Sequence, residues 1–171
     1  MLLRPASPAD LSQIVALERL PESQRYVGQW TEDHHARAMA GPNARYYVHE
    51  GDTGHITAFV IFLGFEEGPS SIEFKRFVVA QPGRGLGRRL LAEILRLAFD
   101  EFRAHRFFLD VVEDNVRARN LYRSFGFSEE GILREATQRD GVWLSLVLMS
   151  ILDREYRERR AANPDAPDVK D

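Results

Sequence analysis

The sequence predicts an α/β domain built on a single mixed β-sheet: an antiparallel meander, a central parallel crossover pair and a C-terminal hairpin, flanked by helices. Three observations predict it. Strand-like runs at 45–50, 56–65 and 71–80 are separated by turn-rich segments, Gly51-Asp52-Thr53-Gly54 and 66–70. Segment 71–112 reads as strand, glycine turn, helix and strand, and such a crossover requires its two strands to run parallel. Near the end, Asp140-Gly141 lies between two further strand-like runs and favours a hairpin.

The 171 residues fit one domain with enough chain to bury a core. A net charge of -3 implies no general attraction to nucleic acid or to an anionic membrane. There is no cysteine, which excludes disulfides, thiolate nucleophiles and Cys-ligated zinc, and suits a cytoplasmic location. The N-terminus has no apolar run long enough for a signal peptide, and no stretch approaches the ~20 apolar residues that span a bilayer. The domain is expected over 1–158, with the small, polar, proline-containing segment 159–171 as a disordered tail.

After a first strand, Ser7-Pro8-Ala9-Asp10 precedes an apolar set at Leu11, Ile14, Val15 and Leu17. Ser7 can cap that helix, Pro8 suits its first turn, and Asp10 suits its positive end. A second helix is expected at 32–39, stopped by Gly41-Pro42. Beyond the meander and the glycine turn, Leu90, Leu91, Ile94, Leu95, Ala98 and Phe102 recur at helical spacing. Residues 106–112 read as a buried strand. A short helix at 116–125 ends at Gly126, a good left-handed cap. Strands at 131–138 and 142–151 form the hairpin, and a charged helix at 152–160 closes the domain.

Two segments carry candidate chemistry. In Pro82-Gly83-Arg84-Gly85-Leu86-Gly87-Arg88-Arg89 the glycines let the backbone turn sharply and approach a ligand closely. The helix starting there offers unpaired N–H groups and a positive end, a site for phosphate oxygens, with Arg84, Arg88 and Arg89 adding full charge. A dinucleotide fingerprint fails because Arg88 stands where its third glycine belongs, and no Walker Gly-Lys-Ser/Thr occurs. Taken alone, the turn fits a solvated connecting loop equally well. In the second segment Asn115 and Tyr122 lie seven residues apart, so they share a helical face with Ala118 and Arg119 between them. Asn115 also suits a plain helix cap, and Phe127 a core position.

The glycine turn and the Asn115–Tyr122–Gly126-Phe127 helix, separated by a strand, resemble the GNAT superfamily of acyl-CoA-dependent N-acetyltransferases. The continuation Glu130-Gly131-Ile132-Leu133-Arg134-Glu135 is similar to the branch holding ribosomal-protein N-terminal and polyamine acetyltransferases. The resemblance implies a GNAT-like fold and acetyl-CoA as co-substrate. It implies that Phe77 and Val79 offer backbone groups to the pantetheine arm, and that Arg84, Gly85, Leu86, Gly87 and Arg88 hold the pyrophosphate. It further implies that Asn115 bonds the pantetheine and that Tyr122 sits beside the sulfur. The family's Gln or Arg before the glycines falls here on Pro82, which has no N–H; Gln81 or Arg84 would replace that contact.

The expected reaction is transfer of an acetyl group to a primary amine, either a peptide or protein α-amine or a small-molecule amine, by direct attack in a ternary complex, with Tyr122 as proton donor to the thiolate. Glu73 aligns with a strand carboxylate that some relatives use as a base. Strict alternation puts Glu73, Lys75 and Phe77 on one face, although an ion pair of Glu73 with Lys75 fits as well. The acceptor pocket is expected from the first helices and the final hairpin. Tyr26, Trp30 and Tyr46 are candidate pocket or core residues; Glu18, Glu22, Glu32 and Asp33 are candidates to attract a cationic substrate, with a solvated helix face the favoured reading for most of them. His34 and His35 diverge on a helix, so no metal is expected. A homodimer is a further expectation; nucleic acid and membrane are not expected partners. The competing reading is a non-catalytic acyl-CoA-binding module of the same fold.

Overall fold

The computed structural model describes residues 1–66, 68 and 70–162. Strands β1 (Arg4–Pro5), β2 (Ala44–Glu50), β3 (Ile56–Leu63), β4 (Ser71–Val79), β5 (Arg106–Val112), β6 (Ser128–Arg139) and β7 (Val142–Leu152) form one sheet in the order β1-β2-β3-β4-β5-β7-β6. The helices are α1 (Leu11–Glu18), α2 (Pro21–Gln24), α3 (Glu32–Ala40), α4 (Leu86–Arg96), α5 (Val116–Ser124) and α6 (Asp153–Ala162). Antiparallel β2, β3 and β4 form the meander, β4 and β5 pair in parallel, and β6 and β7 form the hairpin, so the expected mixed sheet is present. The short helix α2 carried no periodic apolar signal. Helix α6 runs through Ala162, so 159–162 belong to it; 163–171, the rest of the expected tail, lie outside the described residues.

Apolar alternation along the strands divides the core between the two faces. On one face Leu90, Leu91, Ile94 and Leu95 of α4 pack with Phe62, Phe107, Leu109 and Met149. On the other, Leu11, Ile14 and Leu17 of α1 pack with Val48, Phe59, Ile61 and Val78. A π turn at Leu97–Glu101 extends α4, closed by the Phe102 N–H on the Leu97 carbonyl at 2.8 Å. Among the described residues no helix is long and apolar enough to cross a membrane.

Of the irregularities that interrupt this plan, three bear on the site. First, Ile61 pairs with Arg76 while Phe62 pairs with Phe74, so Lys75 is an extra residue in β4. This bulge reverses the alternation. Phe74 and Phe77 therefore lie on one face, their ring centroids 5.6 Å apart, and Arg76 turns to the α1 face. Second, β4 and β5 pair only over Ser71–Arg106, Ile72–Phe107 and Glu73–Phe108, and then separate. Third, the β6 register jumps between Leu133 and Thr137, with Glu135 at φ 49.

Candidate active site

The glycine turn floors a cavity of about 590 Å³. Gly83 and Gly85 take φ of 96 and 81, a region where a side chain is strained. Gly85 is the N-cap of α4, so the first α4 amides point into the turn. The wall continues through Val79, Pro82, Gly87, Arg88 and Arg117. Arg88 is held on α5: its guanidinium lies 5.0 Å from the Phe125 ring centroid and donates to Ser124 Oγ at 3.1 Å.

A second cavity, of about 420 Å³, fills the gap where β4 and β5 part. Phe74 to Phe77 line one side and Leu109 to Val112 the other. In that gap the β5-facing main-chain groups of β4 have no strand partner. The β6 jump brings Ala136, Thr137 and Arg139 over the cavity, and Arg139 Nη1 donates to the Arg25 carbonyl at 2.6 Å. Tyr26, Val27 and Trp30, from the segment between α2 and α3, complete it.

The two cavities share Tyr26, Val27, Phe77, Asn115, Ala118 and Tyr122. Asn115, Ala118 and Tyr122 thus share the face expected from the seven-residue spacing, whereas Arg119, expected between them, lines neither cavity and pairs with Glu129 at 2.9 Å. Asn115 caps α5, its Oδ1 accepting the Ala118 N–H at 3.2 Å, so the capping reading holds, and the residue also faces both cavities. Tyr122 is 9% exposed, edge-on to Phe74 at 5.9 Å and 5.6 Å from Phe127. Burial pushes its phenol pKa well above the ordinary value. Its hydroxyl bonds to none of the described residues.

The sequence pattern of the acetyltransferase (GNAT) family matches residues 11–127, more than half of the chain. The chain belongs to the GNAT family. The N-alpha-acetyltransferase RimI of Mycobacterium tuberculosis is 33% identical over 119 residues, covering 66% of this chain and 72% of that protein. The spermine/spermidine N(1)-acetyltransferase of Bacillus subtilis is 28% identical over 96 residues, covering 54% and 62%. The chain thus spans less than two thirds of that relative's length. The spermidine N-acetyltransferase of Vibrio cholerae, solved in complex with CoA and spermine, superposes with a TM-score of 0.80 at 25% identity, covering 91% of this chain and 96% of that one.

Within this GNAT chain, the residues read from sequence divide into two groups. Phe77, Val79, Gly85, Gly87, Arg88, Asn115 and Tyr122 line the cavities. Arg84 and Leu86 belong to the turn but line neither cavity. Glu73 also lines neither. The Lys75 bulge puts it on the face opposite Phe77, and Lys75 Nζ holds it at 2.9 Å. The geometry does not bring Glu73 to Tyr122, and the alternation that suggested otherwise ends at the bulge. Three wall residues escaped the sequence reading. Arg117 lies beside Gly83, 4.0 Å from where a Cβ would project. Asp110 is a lone acid in the mostly apolar run of β5, and Arg139 is one of several charges on β6, beside the hairpin turn; neither carried a catalytic motif.

Glu18 also departs from expectation. It is fully buried and holds the inner cavity together rather than facing solvent. Its Oε1 is 2.8 Å from Arg76 Nε, its Oε2 accepts the Trp30 N–H at 3.0 Å, and His35 Nε2 lies at 3.3 Å. Arg76 Nε is poorly aligned for a hydrogen bond, so that contact is mainly electrostatic. The Arg76 guanidinium sits 4.3 Å from the Trp30 ring centroid and donates to the Gly28 carbonyl. Tyr46 joins this cluster from the core, its hydroxyl 3.1 Å from His35 Nδ1. Glu18→Ala strands a buried guanidinium and should cost about 3–5 kcal/mol in urea unfolding. The double change Glu18→Leu with Arg76→Met should recover most of that loss; equal stability of Glu18→Ala and the parent would contradict the assignment.

Proposed function

We propose that the chain transfers an acetyl group from acetyl-CoA to a primary amine, by direct attack with both substrates bound. One observation carries the reading: two cavities of unlike character meet at a single buried phenol, Tyr122.

The outer cavity suits the donor. A Cβ added at Gly85 would meet nothing within 4 Å, so the turn leaves open space over main-chain amides, as a diphosphate requires. Arg88 and Arg117 supply positive charge at its wall. Arg84 to Arg88 act mainly through their backbone, because only Arg88 presents its side chain there. Phe77 and Val79 lie along the path from turn to phenol, where an extended thioester arm would find the free edge of β4.

The inner cavity suits the acceptor. The amine nitrogen attacks the thioester carbonyl carbon, forming the C–N bond as the C–S bond breaks. Unpartnered N–H groups on β4 are placed to stabilise charge on the carbonyl oxygen. Tyr122 gives its proton to the departing sulfur. The nitrogen sheds its own proton to water or to Asp110, the one carboxylate among the described residues of the inner wall. Asp110 replaces Glu73 in this role. An α-amine with a pKa near ~7.8 is substantially neutral at cellular pH, whereas a ~10.4 amine is neutral in about one molecule per thousand. A single exposed carboxylate therefore suffices for weakly basic acceptors.

Gly85→Val should weaken acetyl-CoA binding at least roughly ten-fold by calorimetry, since a branched side chain fills the phosphate space. Tyr122→Phe should lower kcat by about a hundred-fold while acetyl-CoA affinity stays within about two-fold; equal turnover would remove Tyr122 from the chemistry. The pH profile follows from burial. Because the Tyr122 pKa is raised, its proton stays in place as pH climbs. The kcat/KM for thiol release should rise to the acceptor's pKa and then hold level to about pH 10. A fall that starts below about pH 9 would show another acid at work.

A further inference from the structure

Charge in the inner cavity is unevenly paired. It has four charged wall residues: Lys75, Arg76, Asp110 and Arg139. Glu73 neutralises Lys75 at 2.9 Å, and Glu18 neutralises Arg76 at 2.8 Å. That leaves Asp110 and Arg139. Among the described residues neither makes an ion pair, although each feels the other's field. Arg139 is half-buried, and burial pulls its pKa down while Asp110 raises it. One of its nitrogens is fixed on the Arg25 carbonyl at 2.6 Å, which ties the hairpin to the end of α2 and sets the guanidinium's direction. Keeping a half-buried guanidinium without a carboxylate costs free energy unless a ligand supplies the anion. The rest of the wall mixes apolar side chains, among them Trp30, Phe74, Val111 and Leu146, with the uncharged polar groups of Asn115, Tyr122 and Thr137.

We infer, resting on the acetyl-transfer reading above, that the acceptor is a small amine that also carries an acid group, of the amino-acid class. Asp110 receives the amino end and Arg139 the acid end. A guanidinium fork matches a carboxylate in geometry as well as charge. A polyamine brings two or more ammonium groups to a wall with one unpaired carboxylate, and its second cation meets Arg139. A peptide N-terminus places a neutral carbonyl where Arg139 offers charge, so it gains only an ordinary hydrogen bond.

The test is a thiol-release assay of the intact chain with acetyl-CoA and four amines: leucine, leucinamide, 3-methylbutylamine and spermidine. Leucinamide has the neutral carbonyl of a peptide N-terminus, and 3-methylbutylamine is leucine without its acid. Values of kcat/KM are compared on the plateau of each pH profile, which removes differences in amine pKa. Leucine should exceed each of the other three by about ten-fold or more, mainly through KM. In Arg139→Gln that preference should disappear, Arg139→Lys should restore part of it, and Arg139→Glu should shift preference toward spermidine. Acetyl-CoA affinity by calorimetry, unchanged in all three variants, checks that they fold. Spermidine or leucinamide matching leucine in the parent would overturn the assignment, as would an unaltered preference in Arg139→Gln. Failure of the parent to bind acetyl-CoA, or to release thiol with any of the four amines, would overturn the acetyl-transfer reading and this assignment with it.

Discussion

Parallel strands are joined by slanted, evenly spaced hydrogen bonds, and β4 and β5 keep that ladder for three residue pairs only. Everything chemical in the molecule depends on its early end. Past Glu73 and Phe108, β4 stays with β3 while β5 stays with β7, and a gap opens in the middle of the sheet. The bulge at Lys75 contributes to the divergence, because an extra residue bends its strand and increases local twist. A closed ladder there would satisfy the main chain but leave no room for a substrate and no free donors to act on one.

Such an opening needs walls, and three separate elements provide them. Helix α5 closes one side with Asn115, Ala118 and Tyr122; the segment after α2 brings Trp30; the hairpin brings Arg139. Trp30 is in no regular element, so its position comes from side-chain contacts. Glu18 binds its N–H and Arg76 stacks on its ring, while Glu18 and Arg76 compensate one another. A buried ion pair is a poor source of stability compared with packed apolar residues. Here its effect is positional: it fixes an aromatic wall at the edge of a cavity that the sheet alone would leave undefined.

Much of this was legible in the sequence wherever a periodic or local signal existed. The crossover at 71–112, the α4 stripe of Leu90, Leu91, Ile94 and Leu95, and the hairpin at Asp140-Gly141 all follow from spacing and turn chemistry. So does the shared face of Asn115 and Tyr122, because a regular helix preserves the seven-residue relation. What escaped was set by irregularity. One extra residue in β4 moved Glu73 to the opposite face from Phe77, and period-two reasoning cannot detect an insertion that leaves composition unchanged. Asp110 on β5 and Arg139 on β6 come from strands separated by β7, and both line the inner cavity. Their proximity belongs to the sheet order β5-β7-β6, which no local pattern encodes. Glu18 looked like one more acid near a helix end, and only its long-range partner Arg76 distinguishes it.

The burial of Tyr122 raises a difficulty that is answered if the leaving group shares its desolvation. A phenol whose pKa has been pushed up is a weaker acid, and a thiol near ~8.5 is already the stronger acid of the two in water. Proton transfer from phenol to thiolate would therefore run uphill if only the tyrosine were desolvated. In the proposed transfer, however, the leaving sulfur would emerge against the same ring, in the space shared by both cavities. Desolvation disfavours any anion there, so it raises the basicity of the thiolate along with that of the phenolate. The gap between donor and acceptor is then governed by the difference in their surroundings rather than by the burial of either one. Tyr122 has no hydrogen-bond partner among the described residues to hold its proton back. In the proposed role it would thus meet charge as it develops on sulfur, while its raised pKa keeps it protonated across the range in which the amine must be neutral.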